Sequence, residues 1–297
     1  MLFRDAATAF IRHCLSIRKL SPHTIRAYQL DLNRFGQFLG KRAVLTTCDK
    51  NVLHEYVRYL FDACALREST VKRHLATLRS LFRWIEEELE GAEDPFRGMR
   101  MRIRMPKRLP RVIGRADLRR LLLHERPALF ADLTAYVATE LLFATGMRVS
   151  ELAGLLDAAV DVENGTISII GKGNRQRRVF LPEGLKTLIH DYRAARDSCW
   201  SAETFLVNSR GEAASAQMIR RLVRVHGERS EVRDRVTPHM FRHSVATYLL
   251  EEGVDIRYVQ RLLGHRSIST TEIYTHVADA ALKVRITEKH PRIGILA

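Results

Sequence analysis

Residues 239–277 read HMFRHSVATYLLEEGVDIRYVQRLLGHRSISTTEIYTHV. Just ahead of them, Thr237 can cap a helix and Pro238 suits its first position. Phe241, Val245, Tyr248 and Leu249 then form an apolar stripe at helical spacing. His239 and Arg242 stand three apart, so they neighbour each other off the centre of that stripe. A base and a cation meeting near a helix N-terminus suit phosphate chemistry. His243 reads as a structural histidine. Gly264 ends a further helix, and His265 follows at once. Ser269 and Glu272 form a capping-box pattern that places Tyr274 about one turn into the next helix. Taken alone, such a tyrosine is more often a packing residue than a nucleophile.

Two segments upstream extend the pattern. Residues 144–152 read ATGMRVSEL. Gly146 can take a left-handed helix stop, and Ser150 can cap the helix that follows. Arg148 sits in the junction, where its planar fork can face an anion beside the amides of a helix start. Glu151 is close enough in sequence to orient it. Residues 171–182 read GKGNRQRRVFLP. Lys172 lies in a polar, glycine-rich turn between expected strands at 166–170 and 178–181. Asn164-Gly165 reads as a two-residue hairpin turn ahead of the first of these. GxxxxGK[ST] is absent, so the lone GKG is no phosphate-binding loop.

Together these segments supply what a metal-free phosphodiester exchange needs. Arg148 and Arg242 would neutralise the non-bridging oxygens as phosphorus becomes five-coordinate. Tyr274 would attack, and His239 would help remove its proton. Lys172 would protonate the departing 5′-oxygen, and His265 would donate a hydrogen bond to the phosphoryl group. Acid or base assistance of this kind is worth about 10²–10⁴ in rate.

The N-terminal part reads as four helices. The first runs over about 6–17. The second is started by Ser21-Pro22, carries Ile25, Tyr28, Leu32, Phe35 and Phe38, and is closed by Gly40. The third covers about 52–60. The fourth opens at Thr70 and runs through Leu75, Leu78, Leu81, Phe82 and Ile85. On that fourth helix Lys72, Arg79 and Arg83 share a face, with Arg73 nearby. This face is a candidate DNA contact, although a solvated charged face is the plain alternative. Residues 97–111, RGMRMRIRMPKRLPR, hold seven basic residues, two prolines and no acid. Such a segment cannot bury a core and reads as a linker that can lie along phosphates through Lys107 and Arg108. The expected division is therefore a helical domain over 1–96, a basic linker over 97–111 and a second domain over 112–297. The expected class is mainly α with one small antiparallel sheet.

Composition agrees. A chain of 297 residues favours two domains, and 46% apolar residues are enough for real cores. Lys and Arg number 49 against 34 Asp and Glu, a net +15. A folded protein this basic usually meets a polyanion, although charge alone does not separate DNA from RNA or a membrane. Cys14, Cys48, Cys64 and Cys199 form no CxxC pair, which argues against a zinc ribbon and for reduced thiols. No signal peptide and no apolar run of membrane-spanning length stands out, so a cytoplasmic, nucleoid-associated protein is expected.

Residues 144–152, 171–182 and 239–277, with the ending KHPR, resemble the tyrosine recombinases of the Xer and phage-integrase type. SPHTIRAYQLDLNRFGQFL and DPFRG resemble the core-binding domain of the same family, so the likeness covers nearly the whole chain. The resemblance implies a catalytic set of Arg148, Lys172, His239, Arg242, His265 and Tyr274. It implies a four-helix core-binding domain and a catalytic domain that clamp duplex DNA carrying inverted-repeat sites. Each protomer would cut one strand, leaving a 3′-phosphotyrosine, and a homo- or hetero-tetramer would pass through a four-way junction. Neither ATP, metal nor another small-molecule cofactor is implied, and no membrane. The biological setting stays open between chromosome or plasmid resolution and movement of a mobile element. The family's last helix usually docks on a neighbouring protomer, and residues 277–286 are the stretch for it here. Two other readings are an inactive DNA-binding relative and a topoisomerase of the same active-site chemistry.

Overall fold

The structure is a computed structural model describing residues 1–264, except 41–42, 46–47, 90, 105–110, 123–126, 172–175 and 183. The chain divides into two compact units, Met1–Lys107 and Arg108–Ala297, with the division inside the basic segment. Among the described residues no helix is long and apolar enough to cross a membrane.

The first unit holds helices α1 (Phe3–Ser16), α2 (Pro22–Leu39), α3 (Lys50–Asp62) and α4 (Glu68–Glu88). Local chemistry sets their ends. Ser21 accepts a hydrogen bond from the Thr24 amide at the start of α2, and Asp49 accepts one from Val52 at the start of α3. The α4 helix starts at Glu68, two residues before the expected opening at Thr70, and has no side-chain cap. Phe10, Phe35, Tyr56, Leu60, Leu78 and Leu81 are fully buried between the four helices. One polar knot crosses this core. The buried Asp31 carboxylate accepts from Arg73 at 2.5 Å and Thr77 at 2.8 Å, with His74 Nε2 at 3.2 Å. His74 Nδ1 in turn meets the Tyr56 hydroxyl at 3.0 Å. Arg73 is thereby taken up in holding α4 to α2.

The basic segment after this bundle departs from expectation. It builds no core, yet Met99, Met101 and Ile103 pack against the core of the first unit. Methionine and isoleucine at alternate positions supply the apolar area that the arginines between them mask in a composition count.

The second unit holds α5 (Arg115–Leu122), α6 (Phe130–Thr145), α7 (Val149–Ala153), strands β1 (Val160–Asp161), β2 (Thr166–Ile170) and β3 (Gln176–Phe180), then α8 (Gly184–Asp197), α9 (Ala216–Arg229), α10 (Pro238–Glu251) and α11 (Ile256–Leu263). Helix α6 is apolar on most sides and sits in the middle, in contact with α8, α9 and α10. The antiparallel sheet has the order β1-β2-β3 and buries Ile167, Ile169 and Val179 on one face. The β1–β2 connection is four residues long, not two, because Asp161 pairs with Thr166. Asp161 captures both the Asn164 amide (3.0 Å) and its side-chain nitrogen (2.8 Å), and this widens the turn. Strand β3 begins two residues before the expected Arg178, since Ile170 pairs with Gln176.

Entry into the second unit is pinned to α10. Ser244 accepts a hydrogen bond from the Ile113 amide at 2.8 Å, and the Tyr248 hydroxyl donates to the Ile113 carbonyl at 2.6 Å. Tyr248 therefore uses its polar tip as well as its apolar body.

Candidate active site

The site grows from the end of α6. Gly146 closes that helix in the left-handed conformation, φ 59° and ψ 18°. A Cβ there would come within 2.6 Å of Leu263 Cδ2, so the position needs glycine for packing as well as for φ. The chain then turns into α7 with Arg148 at the N-cap position. Ser150, expected as the cap, lies inside the helix. Glu151 caps instead, reaching back to accept the Arg148 amide at 2.7 Å.

Glu151 is the hub of the arrangement. Its carboxylate also accepts from the Arg148 guanidinium at 2.9 Å and from Arg177 at 3.0 and 2.8 Å. Burial pushes this carboxyl upward, but the hydrogen bonds and charges of Arg177 and Arg148 outweigh that and hold it below its ordinary value. The Arg148 side chain stays 37% exposed, so it is oriented from behind and open in front.

Arg177 carries no role in the sequence reading. Besides gripping Glu151, it donates from Nε to the Leu262 carbonyl at 2.9 Å. One signal for it is present: Arg177 and Val179 share the inner face of β3, and an inward arginine must find partners.

Arg242 is buried on α10. It donates to the Gly146 carbonyl at 2.6 Å and to the Leu263 carbonyl at 2.5 Å. It thereby joins three elements, the α6 stop, α10 and the end of α11. The sequence places it off an apolar stripe, but α10 is buried on nearly all sides and takes Arg242 inside. Thr237 does stand at the N-cap of α10, with Pro238 behind it, but its side chain makes no capping bond.

His239 lies one turn before Arg242, at the open side of the site. Partial desolvation, then the positive charges of Arg242, Arg220 and Arg148, push its pKa below the ordinary histidine value. A histidine so placed is neutral at pH 7 and can accept a proton. Arg220, on α9, is a further cation that the sequence reading did not single out. His243 is half-buried, and burial followed by the charges of His239 and Arg242 lowers its pKa too.

The second unit thus brings Arg148, His239 and Arg242 into one neighbourhood. Lys172, His265 and Tyr274 lie outside the described residues, as do Ser269, Glu272 and residues 277–286. Lys107 and Arg108 lie outside them as well. In the first unit Lys72, Arg79 and Arg83 are all exposed on α4. The Arg79 guanidinium lies 5.1 Å from the centre of the Phe96 ring, and Arg18 donates to neighbouring Ser80 at 3.0 Å.

Residues 115–281 match the model of the phage integrase family, and residues 7–88 match its N-terminal SAM-like domain. The chain belongs to the phage integrase family. As a tyrosine recombinase it is a DNA strand transferase. It is 33% identical to the tyrosine recombinase XerD of Listeria monocytogenes over 97% of this chain and 99% of that protein. Two solved recombinase structures share its fold. A XerH recombinase bound to palindromic difH, in a post-cleavage complex, has a TM-score of 0.75 at 24% identity, covering 95% of this chain and 85% of that one. A lambda integrase tetramer bound to a Holliday junction has a TM-score of 0.70 at 17% identity, covering 91% and 77%.

Proposed function

We propose that this integrase-family enzyme cuts and rejoins duplex DNA at inverted-repeat sites through a 3′-phosphate linked to Tyr274. The observation that carries the proposal is the set of Arg148, His239 and Arg242 around the Gly146 turn. The two guanidiniums meet the non-bridging oxygens of the scissile phosphate and stabilise the charge that grows there. His239, held neutral, takes the phenol proton of Tyr274. Lys172 gives a proton to the departing 5′-oxygen, and His265 donates to the phosphoryl group. The energy of the broken bond stays in the phosphotyrosine, and the 5′-hydroxyl of a partner duplex recovers it by the reverse attack.

Four protomers on two sites then exchange strands through a four-way junction. The lambda integrase tetramer bound to a Holliday junction supports this arrangement. The helical unit, the basic segment over 97–111 with Lys107 and Arg108, and the unit from 112 onward form the DNA clamp, and Lys72, Arg79 and Arg83 contact phosphates from α4.

A suicide duplex nicked beside the cleavage position tests the proposal, using a site found by footprinting inverted repeats. Wild type is expected to accumulate a covalent complex, while Tyr274→Phe binds the same duplex and forms none. Adduct formation by Tyr274→Phe would overturn the assignment. Absence of adduct with wild type on a footprinted site would favour a binding-only protein.

A further inference from the structure

Residues 99–104, Met-Arg-Met-Arg-Ile-Arg, alternate strictly in exposure. Met99, Met101 and Ile103 are half-buried against the first unit's core, whereas Arg100, Arg102 and Arg104 are exposed. A period of two is the mark of extended chain, whose side chains point to opposite faces. The segment leaves a turn closed by a hydrogen bond from the Met99 amide to the Phe96 carbonyl, with Gly98 at φ +70°. The three arginines form no ion pair with any described carboxylate.

We propose that this strap is a preformed arginine comb that grips the phosphates of duplex DNA. Alternate residues of extended chain lie roughly 6.6 Å apart, so the comb sets three guanidiniums along about 13 Å. A DNA strand offers a phosphate for about every 3.4 Å of helix axis, so each guanidinium has one within reach. The apolar edge matters as much as the charged one. Fixing a free residue's backbone costs conformational entropy, and packing Met99, Met101 and Ile103 meets that cost during folding. A free linker of equal charge would meet it on binding. Geometry also separates DNA from a bilayer. A membrane-binding segment shows apolar residues beside its cations on the outer face, and here the apolar residues face inward. The comb rests on the recombinase reading above and deepens it, naming the three arginines of the basic segment that are held in place for phosphates before DNA arrives.

The test is the affinity of the full-length protein for its footprinted duplex as a function of salt. Three variants join wild type. The first is Arg100→Gln with Arg102→Gln and Arg104→Gln. The second removes three exposed arginines elsewhere, by Arg4→Gln, Arg58→Gln and Arg210→Gln. The third frees the strap by Met99→Ser, Met101→Ser and Ile103→Ser. Each neutralised phosphate contributes about −0.9 to the slope of log affinity against log salt, so the comb variant should flatten it by roughly 2.7. The charge control should keep the wild-type slope. The freed strap should keep most of the slope but bind several-fold more weakly at fixed salt. A wild-type slope in the comb variant, or equal flattening in the charge control, would overturn the comb. A flat slope in wild type itself would sink the underlying DNA reading and the comb with it.

Discussion

At the scale of single residues, neighbours set the charge of each group in the site. His239 has its pKa pushed down by desolvation and by Arg242, Arg220 and Arg148. Only its neutral form accepts a proton, so cleavage should fall as pH drops through that lowered value. The acid limb of kcat/KM, which reports the free enzyme, is expected below the ordinary histidine pKa of about 6.5. His239→Ala should lose that limb and slow cleavage by about 10²–10⁴. An acid limb at neutral pH or above, or one that persists in His239→Ala, would remove His239 from its role. Arg148, His239 and Arg242 were all legible in the sequence because local motifs carry them: a glycine stop, a Pro-led helix start and an HxxR spacing. Arg177 was not, because its partners Glu151 and Leu262 stand 26 and 85 positions away.

At the scale of elements, Arg177 and Arg242 each hold a carbonyl at the end of α11, just ahead of His265. On the proposed mechanism Arg177 is a positioning residue, linking Arg148 through Glu151 to the end of α11. Arg177→Met should slow single-turnover cleavage by about 10²-fold, the scale of an ångström's misplacement, with DNA affinity nearly unchanged. A substrate with a neutral methylphosphonate at the cleavage position needs less from Arg148, so the defect should shrink there. An equal defect on both substrates would mean that Arg177 only holds the fold. Glu140 on α6 lies in an apolar groove of about 660 Å³ with Phe143, Leu188 and Leu249. Desolvation pushes its carboxyl up to about 7, against a downward pull from a Tyr136 hydrogen bond. The unfolded chain ionises this group at lower pH than the fold does, so stability should decline as pH rises from about 4.5 to 7. Glu140→Gln should be more stable than wild type by roughly 1–3 kcal/mol at pH 8 and lose that advantage near pH 4.5. A pH-independent difference in denaturant midpoint would contradict this. Element ends were legible where one residue decides them, the Ser21 hydroxyl at a start and Gly40, Gly146 and Gly264 at stops with positive φ. They were misread where a competitor acts. Glu151 caps α7 in place of Ser150, and Asp161 stretches the Asn164-Gly165 turn to four residues.

At the scale of the whole molecule, charge and topology act together. The net charge of +15 and the two units read from the sequence are properties that composition and length can carry. The fate of residues 99–104 was not legible, because a count of arginines hides the apolar positions between them. The central claim is chemical: residues from separate segments of the second unit serve one phosphate, with Tyr274 as the nucleophile. Digestion of the wild-type covalent complex with protease and nuclease, followed by mass spectrometry, tests it most directly. The expected product is a nucleotide joined through its 3′-phosphate to the peptide that contains Tyr274. A nucleotide on any other residue, or one joined through a 5′-phosphate, would contradict it.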